Sequence, residues 1–365
     1  MSKTAVLICK NGNKLANETW TWGEEPITIC DDYTYLGIRF YKDGVTKQSI
    51  KCLVDQARLG VRGMNVRKYD MGILPVNIDI KLINSLIKPI LTYCCIVYCF
   101  YDIEEIETFY LKLLKNVLGV RTSSCNFAVY RELGLYPLLN FMFKQAFKFW
   151  VGLMRGRQDK PSLHVLHLLR IEANGGYTNW ASHLEDTLIA YDLADIYINP
   201  NSYNRIWNIV INDFCVKIDA DYNDKIKLGV YNSVKLNLYD RITESTTKIQ
   251  EYLLFLASAK HRRALTQLRI SSHRLEIETG RWRRPPLPRD QRFCKSCERD
   301  VLGDEYHFLF ECPRVSDIRT KYMDFLPEIV NVEYMYTLLQ CEDQLKTAKL
   351  ALFCEAAFER LKASE

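Results

Sequence analysis

Residues 103–120, IEEIETFYLKLLKNVLGV, decide the fold class of this chain. Its apolar side chains recur every three or four residues, which places them along one face of a helix. Residues 50–66, 77–100, 127–154 and 343–362 carry similar patterns, with an expected bend at Pro89 and an expected break between Gly134 and Pro137. Most of the chain is therefore predicted to be helical.

Only the beginning of the chain has the pattern of strands. Residues 5–9, 27–30 and 33–40 are short runs rich in β-branched and aromatic residues, with Asp31 and Asp32 between the second and the third. We expect a mainly α protein with a small N-terminal β region.

The distribution of charge says more than its total. The chain has 365 residues, enough for two or three domains, and a net charge of +5. Residues 260–300 contain 12 Lys and Arg against 5 Asp and Glu, a local net charge of +7, whereas the last 65 residues have a net charge of −5. Such a concentration of positive charge predicts contact with a polyanion.

Cysteine usage and hydropathy bear on the compartment. The 13 cysteines are an odd number, and Met1–Thr4 do not open a secretory signal peptide, which favours a reducing, intracellular location in the cytoplasm or nucleus and no secretion. The most apolar run, residues 90–100, is far shorter than the roughly 20 residues that a bilayer requires. No contact with a membrane is expected.

Residues 293–313, FCKSCERDVLGDEYHFLFECP, contain a candidate metal site. Cys294, Cys297, His307 and Cys312 are spaced Cys-x2-Cys-x9-His-x4-Cys, and three thiolates with one imidazole are a complete ligand set for structural Zn²⁺. Four protein ligands leave no open position for a catalytic water. The alternative is that these are ordinary buried residues.

The segment before this cluster, residues 260–292, mixes arginine with one tryptophan. Arginine suits phosphate through its planar fork, and tryptophan can stack on a base. The alternative is a solvated helix face followed by a loop. The predicted nucleic-acid contacts are Lys260, Arg262, Arg263, Arg269, Arg274, Arg281, Trp282, Arg283, Arg284, Arg289 and Arg292.

At these residues the chain resembles the C-terminal part of non-LTR (LINE-type) retrotransposon reverse transcriptases. The match of residues 271–322 to that family's CCHC zinc-knuckle segment runs through Gly280-Arg281, Arg292, the four ligand candidates and Asp304-Glu305. Upstream, KTAVLICKNGNKL and YTYLGIRFYKDG resemble the last strands of the family's palm, and LIKPILTYCCIVY and VYRELGLYPL resemble its thumb and the segment that follows.

The resemblance implies a division of the chain. Residues 1–45 would be a late-palm β remnant, 46–160 a helical thumb-like domain and 161–259 a helical connector. Residues 260–323 would be the basic arm and zinc knuckle, and 324–365 a C-terminal helix. The implied cofactor is structural Zn²⁺, and the implied partner is RNA, DNA or an RNA/DNA hybrid, with no small-molecule substrate.

No catalysis is expected from this chain alone. The family's polymerase holds two divalent ions with three aspartates, and the segments that carry them have no counterpart here. Asp31 and Asp32 precede the YTYLG strand and do not replace them. Two alternatives stay open: a truncated piece of an active RNA-directed DNA polymerase, and a zinc-knuckle module that binds a protein partner through its acidic patch.

Overall fold

A computed structural model describes residues 4–8, 19–42, 47–101, 103–156, 160–243, 248–297 and 300–363. Helices account for 66% of these described residues, and the strands among them are confined to the N-terminal region. The mainly α class with a small N-terminal β region is thus confirmed.

The β region consists of three two-stranded pairs. β1 pairs in parallel with β4, β2 pairs antiparallel with β3, and β5 pairs antiparallel with β6. The strands are β1 Ala5–Leu7, β2 Thr21–Trp22, β3 Glu25–Pro26, β4 Thr28–Cys30, β5 Asp32–Tyr35 and β6 Ile38–Tyr41. Residue 9, at the end of the first predicted strand, lies outside the described residues.

The prediction of one strand over residues 33–40 is wrong, because the chain reverses in its middle. Leu36 and Gly37 have positive φ values of 47° and 84°, and Tyr35 pairs with Ile38 across this two-residue turn. Positive φ at both central positions is the turn geometry that matches the twist of a hairpin, and glycine adopts it at no steric cost.

Asp31 and Asp32 support this hairpin through ion pairs. The Asp32 carboxylate lies 2.7 Å from Nε of Arg39, and the Asp31 carboxylate lies 2.8 Å from Nζ of Lys42. Both carboxylates therefore have cationic partners within the same pair of strands.

The helices follow most of the predicted apolar patterns, but the single bent helix predicted over residues 77–100 is wrong, because it breaks at Cys94, which has a positive φ of 55°. They are α1 Lys47–Met71, α2 Val76–Leu82, α3 Lys88–Leu91, α4 Cys95–Tyr98, α5 Glu104–Leu118, α6 Asn126–Leu133, α7 Leu138–Met154, α8 Pro161–Asn174, α9 Trp180–Ala190, α10 Ala194–Ile198, α11 Trp207–Tyr231, α12 Asn237–Ile242, α13 Tyr252–Phe255, α14 Ala259–Arg269, α15 Glu276–Thr279, α16 Ser316–Tyr322, α17 Val332–Gln340 and α18 Gln344–Lys362. A π-helical turn, Ile83–Ile87, joins α2 to α3 just before Pro89, which has no N–H to donate.

The chain divides into two compact units. The first comprises Met1–Val66, Leu82–Phe109 and Pro137–Asp219. Its core centres on α7, where the ring of Phe147 lies 4.3 Å from that of Phe214 and Trp150 packs edge-on against Trp207. Buried aromatic pairs of this kind add to the stabilisation that comes from the apolar area they bury.

The second unit comprises Arg67–Lys81, Tyr110–Tyr136 and Ala220–Glu365, and it contains the candidate metal site. Its core encloses a polar network around Glu132, whose side chain is fully buried. The Glu132 carboxylate accepts hydrogen bonds from Tyr239 at 2.7 Å, Tyr252 at 2.5 Å and Nε of Arg269 at 2.9 Å. Four helices, α6, α12, α13 and α14, thus meet at one carboxylate.

No helix in the described part of the chain is long and apolar enough to cross a membrane.

Candidate metal site and basic surface

The first two ligand candidates lie in a tight loop closed by strand-like pairing. Phe293 and Leu302 form an antiparallel bridge, the N–H of Cys294 donates to the carbonyl of Val301 at 2.8 Å, and the N–H of Gly303 donates to Arg292 at 2.9 Å. This pairing places Cys294 and Cys297 at the end of a hairpin, with two residues between them. A Cys-x2-Cys turn can present both thiols to one ion.

The other two ligand candidates lie at the two ends of a π-helical turn, His307–Glu311. Asp304 caps the start, since its carboxylate accepts a hydrogen bond from the N–H of His307 at 2.9 Å. In a regular α-helix, residues five apart point about 140° away from each other. The wider turn closes instead with a bond from the N–H of Cys312 to the carbonyl of His307 at 2.8 Å, which brings the two side chains together.

The four donor atoms form one group. Among the residues that the structure describes, Cys294, Cys297, His307 and Cys312 each offer one ligand atom, and these atoms all lie within 4.8 Å of one another. Zn–S bonds near 2.3 Å give a tetrahedron with edges of about 3.8 Å, so a small contraction completes the geometry. The residues can therefore hold a metal ion, and their chemistry fits Zn²⁺.

The pKa values show that the four groups interact strongly. A hydrogen bond with Cys312 and burial raise the pKa of Cys294 to about 11, and the same bond lowers the pKa of Cys312 to about 7. Burial alone would lower the pKa of His307, but contacts with the thiols of Cys294 and Cys297 raise it to about 9. A bound cation would displace these shared protons.

Neighbouring side chains hold the imidazole in the orientation that a metal requires. Nε2 of His307 lies 3.4 Å from Sγ of Cys297, while Nδ1 lies 3.4 Å from the carboxylate of Glu311. A metal-ligating histidine typically donates its other N–H to such a carboxylate, which fixes the tautomer. The place of Glu311 four residues after His307 is the sequence signal for this contact.

The short helix that carries His307 is anchored at both ends. At its start, Glu305 accepts a hydrogen bond from Nε2 of the buried His273 at 3.0 Å. At its end, Arg319 donates to the carbonyls of Leu309 at 2.7 Å and Cys312 at 3.0 Å, which satisfies groups that a helix terminus leaves free. The ligands are thus fixed by groups outside the loop itself.

Two of the predicted nucleic-acid contacts are internal. Arg269 is fully buried against Glu132, and its guanidinium also bonds to Gln250 at 2.9 Å. Arg262, 7% exposed, donates to the carbonyls of Leu256 and Ala257 at 2.5 Å and 2.8 Å. Their charges stabilise the fold and are not presented to a ligand, which corrects the prediction at both positions.

Three more of these arginines are occupied by contacts close to the metal site. Arg292 donates to the carbonyls of Leu287 and Ile277 at distances of 2.9–3.0 Å, so it braces the loop before the hairpin. Arg281 lies 3.0 Å from the carboxylate of Glu278, and Arg283 lies 2.8 Å from that of Glu276. These three residues have positional roles, whatever else they contact.

The remaining predicted contacts are exposed. Trp282 is 66% exposed, and Lys260 is held only by a loose pair with Glu355 at 3.8 Å. The other exposed members of the predicted set are Arg263, Arg274, Arg284 and Arg289. Their nucleic-acid role stays a prediction.

Comparison with protein-family models, with curated proteins and with solved structures finds no match for this chain.

Proposed function

We propose that this chain is a reverse-transcriptase-derived nucleic-acid-binding protein. It would use a zinc-stabilised Cys/His knuckle and its basic flank to hold RNA or an RNA/DNA hybrid. The observation that carries the proposal is the convergence of three thiols and one imidazole within 4.8 Å beside the most basic segment of the chain. The proposal assigns binding, and no bond-making chemistry, to these residues.

The wider organisation supports the same proposal. A few strands at the start, long helices after them and a Cys/His knuckle near the end follow the order of palm, thumb and knuckle in the retrotransposon polymerases that the sequence resembles. Gly280 supplies a physical reason for one part of that pattern. A Cβ at this position would lie 2.7 Å from the side chain of Arg292, so only glycine leaves room for the arginine that braces the hairpin.

Binding would be mainly electrostatic. A protein that neutralises phosphates with Lys and Arg releases condensed counterions, so its affinity falls steeply with salt. Zn²⁺, where bound by the four ligands, fixes the hairpin against the helix that carries His307. The exposed arginines on the flank then keep a fixed position relative to a phosphate backbone.

The test is a filter-binding titration of the zinc-loaded full chain against RNA and an RNA/DNA hybrid at several salt concentrations. We expect affinity to fall linearly with the logarithm of salt, with a smaller slope when the exposed cations Lys260, Arg263, Arg284 and Arg289 are changed together to glutamine. Arg281 and Arg283 are left in place because they pair with Glu278 and Glu276.

Failure to retain either nucleic acid at low salt would overturn the proposed function. An unchanged salt slope in the fourfold variant would also count against it. Capture of a protein partner that survives nuclease treatment, together with no retention of nucleic acid, would favour the protein-binding alternative.

A further inference from the structure

A cleft of about 1020 Å³ lies in the second unit, against the metal site. Two helices, α14 and α18, line the cleft with residues that recur at helical spacing. From α14 come Lys260, Arg263 and Gln267, and from α18 come Phe358 and Lys362. Spacings of three, four and seven residues put each set on a single helix face.

The metal site contributes to the lining of the cleft. Cys294, His307 and Cys312 line it, together with the buried Phe308. An ion held by these ligands would therefore fix one wall of the cleft, since it ties the hairpin to the helix of His307.

The lining of the cleft is cationic. Seven of its side chains are Lys or Arg, against four carboxylates. Arg263 and Lys362 are exposed and have no ion pair with any described carboxylate. Lys295, which the sequence analysis did not single out, also points to this cleft from the hairpin.

Most of the four carboxylates are already engaged. Glu276 pairs with Arg283 at 2.8 Å and with Lys295 at 3.1 Å. Glu355 pairs with His261 at 3.2 Å, and Asp304 caps the helix of His307. Arg263 and Lys362, which pair with none of these carboxylates, are the cations that an anion in the cleft would meet.

We propose that this cleft is the binding site for the phosphodiester backbone of a single-stranded polynucleotide, with Arg263 and Lys362 as the principal cations. The inference rests on the proposed function and makes it specific: it moves the main contact from residues 281–292 to the facing surfaces of α14 and α18. Phe358, half-buried, lines the cleft and stacks on the buried Phe308, with the two ring centroids 4.8 Å apart.

The shape of the site selects the single strand. A duplex is read by an element that protrudes into its grooves, the major groove being about 12 Å wide. A cleft of about 1020 Å³ lined by two helices can meet a duplex only along its outer edge. A single strand, whose backbone is flexible and whose bases are free to stack, can enter such a positively charged groove.

The experiment compares two charge-matched double variants of the zinc-loaded full chain. Arg263→Gln with Lys362→Gln removes two cations from the cleft, and Arg284→Gln with Arg289→Gln removes two exposed cations outside it. Fluorescence anisotropy with 12-residue single strands of RNA and of DNA, and with a 12-base-pair duplex as competitor, measures binding. Equal zinc content and circular dichroism spectra establish that all proteins are folded alike.

At about 0.1 M salt we expect the cleft variant to bind about 25-fold more weakly, because two lost phosphate contacts at a slope of about 0.7 each remove roughly 1.4 logarithmic units. The control variant should change affinity less than threefold, and the duplex should compete at least tenfold less well than the single strand. Binding of RNA, of DNA or of both supports the site and identifies the source of the backbone.

Equal weakening of both double variants would overturn the cleft while leaving the proposed function intact. So would a duplex that competes as well as the single strand. No binding of any nucleic acid by the wild-type chain would overturn the proposed function and the cleft together.

Discussion

The Glu132 network and the Cys/His metal site both bury polar groups in the second unit, and they differ in how their charges are balanced. In the network around Glu132, one carboxylate meets one guanidinium, that of Arg269, and two phenols complete the hydrogen bonds. In the metal site, three thiols and an imidazole meet one another without a Lys or Arg side chain among them.

The protonation of each place follows from that difference. Burial, and then the charge of Glu132, raise the pKa values of Tyr239 and Tyr252 well above the usual range, so both phenols stay neutral donors. Burial would lower the pKa of Arg269, but Glu132 raises it. The charges of the Glu132 network are thus balanced within the network. The ligands of the metal site, in contrast, have to stay protonated or bind a cation.

The largest effect is expected from breaking the network. Arg269→Met leaves the Glu132 carboxylate buried without its cation, which should lower the free energy of unfolding by about 3–5 kcal/mol. Urea denaturation followed by circular dichroism measures it. Arg263→Met is the matched control on the exposed face of α14 and should change stability by less than about 0.5 kcal/mol. A loss below about 1 kcal/mol for Arg269→Met would contradict a tightly coupled network.

The second prediction concerns zinc affinity, which should depend on pH at the metal site. The pKa values of Cys294 and His307 are raised to about 11 and about 9, so both groups keep their protons at neutral pH. Zinc has to displace these protons when it binds. Affinity for zinc should therefore rise with pH, by at least about tenfold per unit between pH 7.5 and 8.5, because the Cys294 proton has to be displaced throughout that interval.

A competition titration against a chelator of known affinity measures this slope after correction for the chelator's own protonation. The Glu132 network should not titrate over the same interval, because the raised pKa values of Tyr239 and Tyr252 keep both phenols neutral. A zinc affinity that does not change with pH, or that falls as pH rises, would contradict the proposed difference between the metal site and the Glu132 network.

The smallest effect concerns the partner of the metal-ligating imidazole. Glu311→Gln removes the carboxylate 3.4 Å from Nδ1 of His307 and should weaken zinc binding about tenfold, the lower end for such partners because Glu311 is exposed. Glu333→Gln, an exposed glutamate on α17, is the control and should leave zinc affinity unchanged. Equal zinc affinities for the two variants would show that Glu311 does not orient the ligand.

The metal site can be predicted from the sequence and the Glu132 network cannot, because the first depends on local spacing and the second on tertiary contacts. Cys294 and Cys297, with His307 and Cys312, lie within 19 residues, and local spacing suffices to recognise a ligand set. Arg269 and Glu132 are separated by 137 residues, a contact that only the tertiary fold creates. Arg262 and Arg269 were counted as surface charge because composition cannot tell which side of α14 packs inward.

The fold shows a similar division between local and distant information. The pattern of residues 103–120 predicted a helix, and α5 spans Glu104–Leu118, because helical periodicity is a local property. The reversal at Leu36–Gly37 was missed, since the apolar run continues through it and only the glycine marks a turn. The pairing of β1 with β4 depends on partners that the sequence pattern does not name.

The most direct test of the account is the zinc content of the purified chain, measured by mass spectrometry after expression in zinc-supplemented medium and removal of free metal. We predict one zinc ion per chain, and none bound by the Cys312→Ser variant. A folded wild-type chain that retains no more zinc than this variant would contradict the assignment of Cys294, Cys297, His307 and Cys312 as a metal site.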